Sequence, residues 1–163
     1  MAFLHYICFS LSWLALVQYE STYMLGVIAY FVFFIGLSQQ RTQTILFMLY
    51  ITIGGLTIDT LFIQFGVLEF INNNPWPPLW YILLWPLFAT AVHSTLIAFN
   101  RAHIFIQIIT GAVASYLAFS FGSQVNTSIT IAHIWIIIIC WSIIFPLSLR
   151  LHQKIVQPPK LAN

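Results

Sequence analysis

The chain has 163 residues, of which 61% are hydrophobic and only 5% charged, with a formal net charge of +2. A water-soluble domain carries roughly 25% charged residues, so this composition excludes one and requires an apolar surface that faces lipid. There is no basic cluster to hold nucleic acid and no acidic tail.

A spanning helix needs about 20 mostly apolar residues. Six runs are read as spans: residues 2–19, 22–37, 44–66, 79–99, 104–122 and 129–151. The expected fold class is all-α, a polytopic bundle of six transmembrane helices in one domain (residues 1–151), with a short cytoplasmic tail at 152–163. The first run has no Lys or Arg before it, which argues for a retained helix and against a cleaved signal peptide. Cys8 and Cys140 both lie inside apolar runs and read as small buried hydrophobes, not as a disulfide. The connection from Val67 to Pro78 is the long one, and its three prolines cannot continue a helix.

Basic residues set the orientation. Arg41 lies between the second and third runs, Arg101 between the fourth and fifth, and Arg150, Lys154 and Lys160 close the sixth. Basic loops stay cytoplasmic, so both termini are expected there, with Glu20, Glu69 and the Asn/Pro loop at residues 72–78 outside. Trp76, Trp80 and Tyr81 are expected in the outer aromatic belt, as are His133 and Trp135 at the outer end of the sixth run.

Asp59 is the one acid well inside an apolar run. A charged carboxylate at mid-helix costs roughly 2.5–3.5 kcal/mol to insert, so such a residue is a functional candidate. Counting about 1.5 Å per residue places Asp59 roughly 10 Å from the outer boundary, level with Trp85 and with Ser115 and Tyr116. Those residues, with Trp80, form a candidate outer ligand-binding site in which Asp59 accepts from the Trp85 indole or from a hydroxyl. Pro86 should free the Ile82 carbonyl and bend the fourth run. Deeper, His5, Thr52, His93 and Gln107 fall near one level and read as hydrogen-bonded structural groups, since no histidine pair has helical metal-ligand spacing. Gly111, Ser115, Ala118 and Gly122 form one small-residue face that predicts a central, tightly packed fifth helix, and Gly55 suggests a close contact on the third. Pro146 should kink or end the sixth.

No phosphate loop, nucleophile elbow, paired-cysteine motif or zincin helix is present, so no cofactor and no metal are expected. The block Gly55-x-x-x-Asp59, Gly66-Val67-Leu68-x-Phe70, Pro78-Leu79-Trp80-x-x-x-Leu84-Trp85-x-x-Phe88-Ala89-Thr90, His93-Ser94 and Gly111-x-x-x-Ser115-Tyr116 resembles a family of small bacterial inner-membrane proteins known as a domain of unknown function, number 2878. That family carries an Asn-Phe pair near its start, where this chain has His5-Tyr6. The resemblance implies placement in a bacterial inner membrane and no particular activity. Three functions stay open: a binding or transport-type module for a small or lipid-like ligand around Asp59, an intramembrane enzyme acting on lipid or isoprenoid, and a structural subunit of a membrane complex. The expected partners are the lipid bilayer, a small or lipid-like ligand and a membrane protein, with no nucleic acid.

Overall fold

The computed structural model describes residues 2–71 and 75–156. Asn73 and Lys160 therefore lie outside the described residues, as does the chain beyond Val156. Among the described residues there are seven α-helices: α1 (Ala2–Tyr19), α2 (Met24–Leu37), α3 (Arg41–Gln64), α4 (Leu79–Ile82), α5 (Leu84–Ser94), α6 (Ile104–Val125) and α7 (Ile134–Val156). One 3-10 turn, Glu20–Tyr23, joins α1 to α2, and a second, Leu96–Arg101, extends α5. Strands β1 (Leu68–Phe70) and β2 (Ile129–Ile131) pair antiparallel, with Leu68 opposite Ile131.

Among the described residues, four helical stretches are long and apolar enough to cross a membrane: Phe3–Leu37, Arg41–Gln64, Ile104–Val125 and Ile134–Val156. The helix from Leu79 to Ser94 is apolar but shorter. Their outward faces carry exposed Leu25, Val32, Phe105, Ile139 and Leu147. Large aliphatic and aromatic side chains in such number on the outside fit a hydrocarbon solvent and not water.

The first stretch is not one straight helix. The His5 and Phe34 rings touch edge to face with centroids 5.3 Å apart. A straight helix would separate them by about 1.5 Å per residue, so α1 and α2 must fold back on each other. The reversal sits at Glu20, whose φ of 50° lies in the left-handed region. Ring contacts then tie four helices at one level: Phe34 to His93 (5.4 Å), His93 to His152 (5.1 Å) and His152 to Phe47 (5.0 Å). Arg41 precedes Phe47 on α3, while Arg150 and Lys154 flank His152 on α7. Arg101 ends the 3-10 turn that leaves α5 beyond His93. The described basic residues thus gather at one end of the bundle. The β1–β2 ladder gathers the C-terminal ends of α3 and α6 at the other.

Prolines act differently on two helices. Pro86 cannot donate to the Ile82 carbonyl, and the helix breaks there, at Leu83, into α4 and α5. Pro146 neither ends nor divides α7, which continues to Val156. Three sequence expectations need correcting. The sixth run begins at Ile134, because Ile129–Ile131 is a strand that satisfies its backbone against β1. The last helix runs past the expected end of the sixth run at residue 151 as far as Val156, and His152 is buried. Trp80 and Tyr81 are buried in the core, whereas Trp76 is exposed.

Because the basic and acidic ends are opposite, accessibility should divide accordingly. In a background with Cys8 and Cys140 changed to Ala, single cysteines at Gln40, Arg101 and Lys154 should react with an impermeant reagent from one face of the membrane. Cysteines at Glu69 and Thr127 should react from the other. Labelling of positions 69 and 101 from the same face would contradict the fold.

Candidate functional site: a tryptophan stack between an acid and a cavity

Two features of α3 prepare its contact with α5. Gly55 and Asp59 are one turn apart, so both face the same way. Trp85, near the start of α5, lies flat across that face. A Cβ at position 55 would overlap the indole carbons Cδ2, Cε2 and Cε3. Without one, the ring rests on the α3 backbone and its Nε1–H donates to Asp59 Oδ2 at 2.5 Å. Asp59 and Trp85 are both buried, at 1% and 5% exposure. An acid buried in an apolar bundle is costly unless it is hydrogen-bonded, and the indole N–H supplies that bond.

Trp85 is in turn stacked on Trp141 of α7, with centroids 5.2 Å apart and planes 5° from parallel. Phe88 meets the Trp141 ring edge to face at 5.0 Å. Trp141 is also where α7 meets α6: a Cβ on Gly111 would lie 2.5 Å from the Trp141 carbonyl oxygen and 2.8 Å from Phe145 Cβ. Asp59, Trp85, Trp141 and Gly111 thus form one line of contact from α3 through α5 and α7 to α6.

Beside this stack lies a cavity of ≈ 620 Å³, bounded by α1, α5, α6 and α7, with strand β2 at one end. Trp85, Trp141, Trp13 and Phe88 supply aromatic wall. The small face of α6 (Gly111, Ser115, Ala118, Gly122) supplies the opposite side. Ser115 Oγ donates to the Ala112 carbonyl and Ser123 Oγ to the Ser120 carbonyl, so the serine hydroxyls of that wall are spent within their own helix. What remains facing the space is predominantly carbon. The cavity size falls within the roughly 300–1,000 Å³ of small-molecule sites.

At its strand end, Glu20 Oε1 accepts from Asn126 Nδ2 (3.1 Å) and Ser128 Oγ (2.6 Å). Asn126 Nδ2 also donates to the Val17 carbonyl at 2.7 Å. The turn between α1 and α2 is thereby latched to the α6–β2 connection.

The expected outer site is assembled only in part. Asp59 does receive the Trp85 indole, but Trp85 stands between the acid and the cavity, whose wall Asp59 does not join. Ser115 lines the cavity, while Tyr116 is exposed on the outer surface of α6. Trp80 is buried against Tyr81, away from the cavity wall. The fifth span is not central: α6 exposes Phe105, Ile109, Val113 and Leu117. Gly111 packs tightly on α7, but Gly122 has only Val17 Cγ1 near it, at 3.9 Å. Small residues here make room for a cavity as much as for a helix.

The deeper polar layer is also rearranged. His93 Nδ1 lies 3.2 Å from His152 Nε2, and His152 Nδ1 is buried with no hydrogen-bond partner among the described residues. His5 approaches His93 across Phe34, on which both rings rest edge-on. Thr52 donates to the Met48 carbonyl of its own helix, and Gln107 donates to the carbonyls of Phe99 and Ala102. Neither joins the histidines. His152 and Trp141 escaped the sequence reading, although buried positions Phe145, Leu149, His152 and Val156 recur at spacings of four, three and four through residue 156. Among the described residues, no group of three or more His, Cys, Asp or Glu side chains could hold a metal ion.

The chain belongs to the family described as "Protein of unknown function (DUF2878)", whose model matches residues 2–147. Neither a curated protein nor a solved structure matches it.

The geometry predicts different fates for neighbouring positions. Gly55→Ala should destabilise the bundle by about 1–3 kcal/mol, the usual cost of overpacking, whereas Gly54→Ala should be tolerated because nothing lies within 4 Å of its Cβ position. Thermal unfolding in detergent compares them, and equal melting temperatures would remove the close contact. Asp59→Asn keeps an acceptor for the indole, so it should fold with unchanged tryptophan emission. Asp59→Leu strands the Trp85 N–H and should shift both emission and melting temperature, by an amount near the roughly 0.6 kcal/mol average for polar contacts in lipid.

Proposed function

We propose that this protein is a multi-pass membrane protein that binds an apolar or lipid-like molecule between its helices. In this reading α1, α2, α3, the α4–α5 segment, α6 and α7 make six passes. Both termini lie with Arg41, Arg101, Arg150 and Lys154 on the cytoplasmic side, as basic residues flanking spans favour. A cell membrane of the inner, cytoplasmic type is the matching location.

The observation that carries the reading is the apolar cavity of ≈ 620 Å³ beside the Trp85–Trp141 stack. The space opens to the outside past exposed Leu117 and Phe121, and left empty it forfeits dispersion contacts along its inner walls. An apolar occupant recovers them. Flat aromatic faces and a helix side of Gly, Ala and Ser admit an elongated or planar hydrocarbon without demanding hydrogen bonds from it. Asp59 has a positioning part here. It holds the indole of Trp85 in the wall and does not touch the ligand.

The chemistry available at the cavity wall is sparse, and this weighs toward binding over catalysis. Among the described residues, no carboxylate, histidine or lysine reaches its lining. Turnover at this site would have to rest on the phenol of Tyr81, the one acid–base side chain among the described residues of the wall.

The test is a cavity-filling substitution. Ala118→Trp puts an indole into the space from α6. Protein purified in mild detergent should carry an apolar molecule, detectable by native mass spectrometry and identified after solvent extraction. The Ala118→Trp variant should fold, with a melting temperature near wild type, and lose most of that molecule. Retention of the molecule at wild-type stoichiometry in a folded variant would overturn the reading. Release of a chemically altered product would favour the intramembrane enzyme instead, and a stoichiometric protein partner the structural subunit.

A further inference from the structure

We infer that the ligand of the large cavity is a single apolar chain ending in a neutral oxygen, and that the hydroxyl of Tyr81 recognises that oxygen. The inference rests on the cavity being a ligand site and adds the chemical class of its occupant. Most of the wall asks nothing polar of a ligand. The hydroxyls of Ser115 and Ser123 donate within α6, and the Trp85 indole donates to Asp59. Tyr81 differs. It lines the cavity and is only 5% exposed. Phe70 and Trp80 meet its ring edge to face at 5.1 and 5.6 Å, which holds the ring in place. Among the described residues its hydroxyl has no hydrogen-bond partner. An unpaired buried hydroxyl is costly, and buried tyrosines usually find a partner. Water is a poor substitute in a wall that is predominantly carbon, because an ordered water needs about two to four polar partners.

Charge narrows the group that pairs with it. Among the described residues, no lysine, arginine or histidine lines the cavity. Asp59 is near enough to Tyr81 to act on it electrostatically, and Glu20 stands at the strand end. A carboxylate or phosphate headgroup would therefore be desolvated without a counter-charge. A cationic headgroup meets no carboxylate in the wall either, since Trp85 separates Asp59 from the space. A carbonyl or hydroxyl oxygen accepts from a phenol and carries neither penalty. The remaining donors of the wall, on Trp13, Trp141 and Thr110, belong to half-buried residues, so none of them has to find its partner inside the cavity.

Shape narrows the rest. From Thr110 to Ser123 the wall follows α6, a length of about 20 Å by helix rise. Gly111, Ala114, Ala118 and Gly122 keep that side shallow along its length. The space opens past Leu117 and Phe121, which are exposed on the outside of α6. A chain dissolved in the bilayer can enter sideways through that opening. Tyr81 lies one helical turn from Trp85 toward β1, so the oxygen sits near the strands and the chain runs toward Gly111.

The experiment uses the full chain in detergent, freed of co-purified molecules by extended detergent exchange. Hexadecanol, hexadecane and palmitate share one chain length and differ at its end. Each is added in mixed micelles, and retained probe is scored by native mass spectrometry. Wild type should retain hexadecanol above the other two. Tyr81→Phe should lower hexadecanol retention about tenfold, as loss of one hydrogen bond does, and leave hexadecane unchanged. Tyr116→Phe removes a hydroxyl from the outside of α6 and should change neither. Without probe, Tyr81→Phe should melt no lower than wild type, because the hydroxyl it removes has no partner in the protein. A lower melting temperature would mean that the hydroxyl is already bonded internally and would overturn the inference. So would a loss of hexadecanol in Thr110→Val and not in Tyr81→Phe, or palmitate as the preferred probe. Equal retention of hexadecanol and hexadecane by wild type would sink the headgroup and leave the apolar site standing. Retention of no probe would sink both.

Discussion

Trp85 can reach Asp59 only because residue 55 has no side chain. With any Cβ there the indole must lift off α3, and the acid loses its donor. The rest of the bundle is arranged around that indole. Its free face takes Trp141, which brings α7 in parallel contact with α5. Trp141 and Phe145 in turn press on Gly111, which fixes α6. Hydrocarbon offers no hydrophobic drive to bring helices together, so close packing and buried polar contacts must do it. Here two glycines supply the close packing and one carboxylate the polar contact.

The same arrangement explains where space is left. Two large stacked indoles hold α5 and α7 at a fixed distance, and α6 is pinned at Gly111. Farther along α6 the small residues continue, but no side chain arrives to fill them. Val17 is the nearest neighbour of Gly122, and only at van der Waals distance. Glu20, Asn126 and Ser128 then tie the ends of α1 and α6 together beyond the gap. The cavity is thus a consequence of close contacts at both ends with only looser ring contacts between, such as Trp13 to Phe121 at 6.1 Å, and substitution at Ala118 probes it without loosening either end.

Much of this was legible in the sequence. The apolar runs locate the helices, the basic residues order their ends, and Pro86 marks the break at Leu83. Depth counting paired Asp59 with Trp85, because helix rise is fixed and both lie a countable distance from a boundary. What it could not supply was direction around the helix axis. Ser115 and Tyr116 share a level with Asp59, yet Ser115 faces the cavity and Tyr116 the outside. Trp80 looked like an interfacial anchor because tryptophans near prolines and span ends commonly are. It is buried because the α4 turn folds inward beneath β1, where Tyr81 meets Phe70. The strands were invisible for a different reason. Three residues pairing across a gap of some sixty leave no local period.

His152 shows the limit most clearly. The apolar run ends the last span at Leu151, beside Arg150, where basic residues mark a membrane boundary. Arginine and lysine have long stems, however, and reach the interface from positions inside a helix. The helix therefore runs past Arg150, and its buried stripe carries His152 to His93. A residue discarded as tail becomes part of the core. Arg150, read as a topological marker, stays exposed on the same helix. The two lie two residues apart and face different ways, so one turn of α7 both completes the buried histidine pair and keeps a basic side chain outside. A basic residue can thus stand at the boundary of a span while the helix that carries it continues, its other side packed against neighbouring helices.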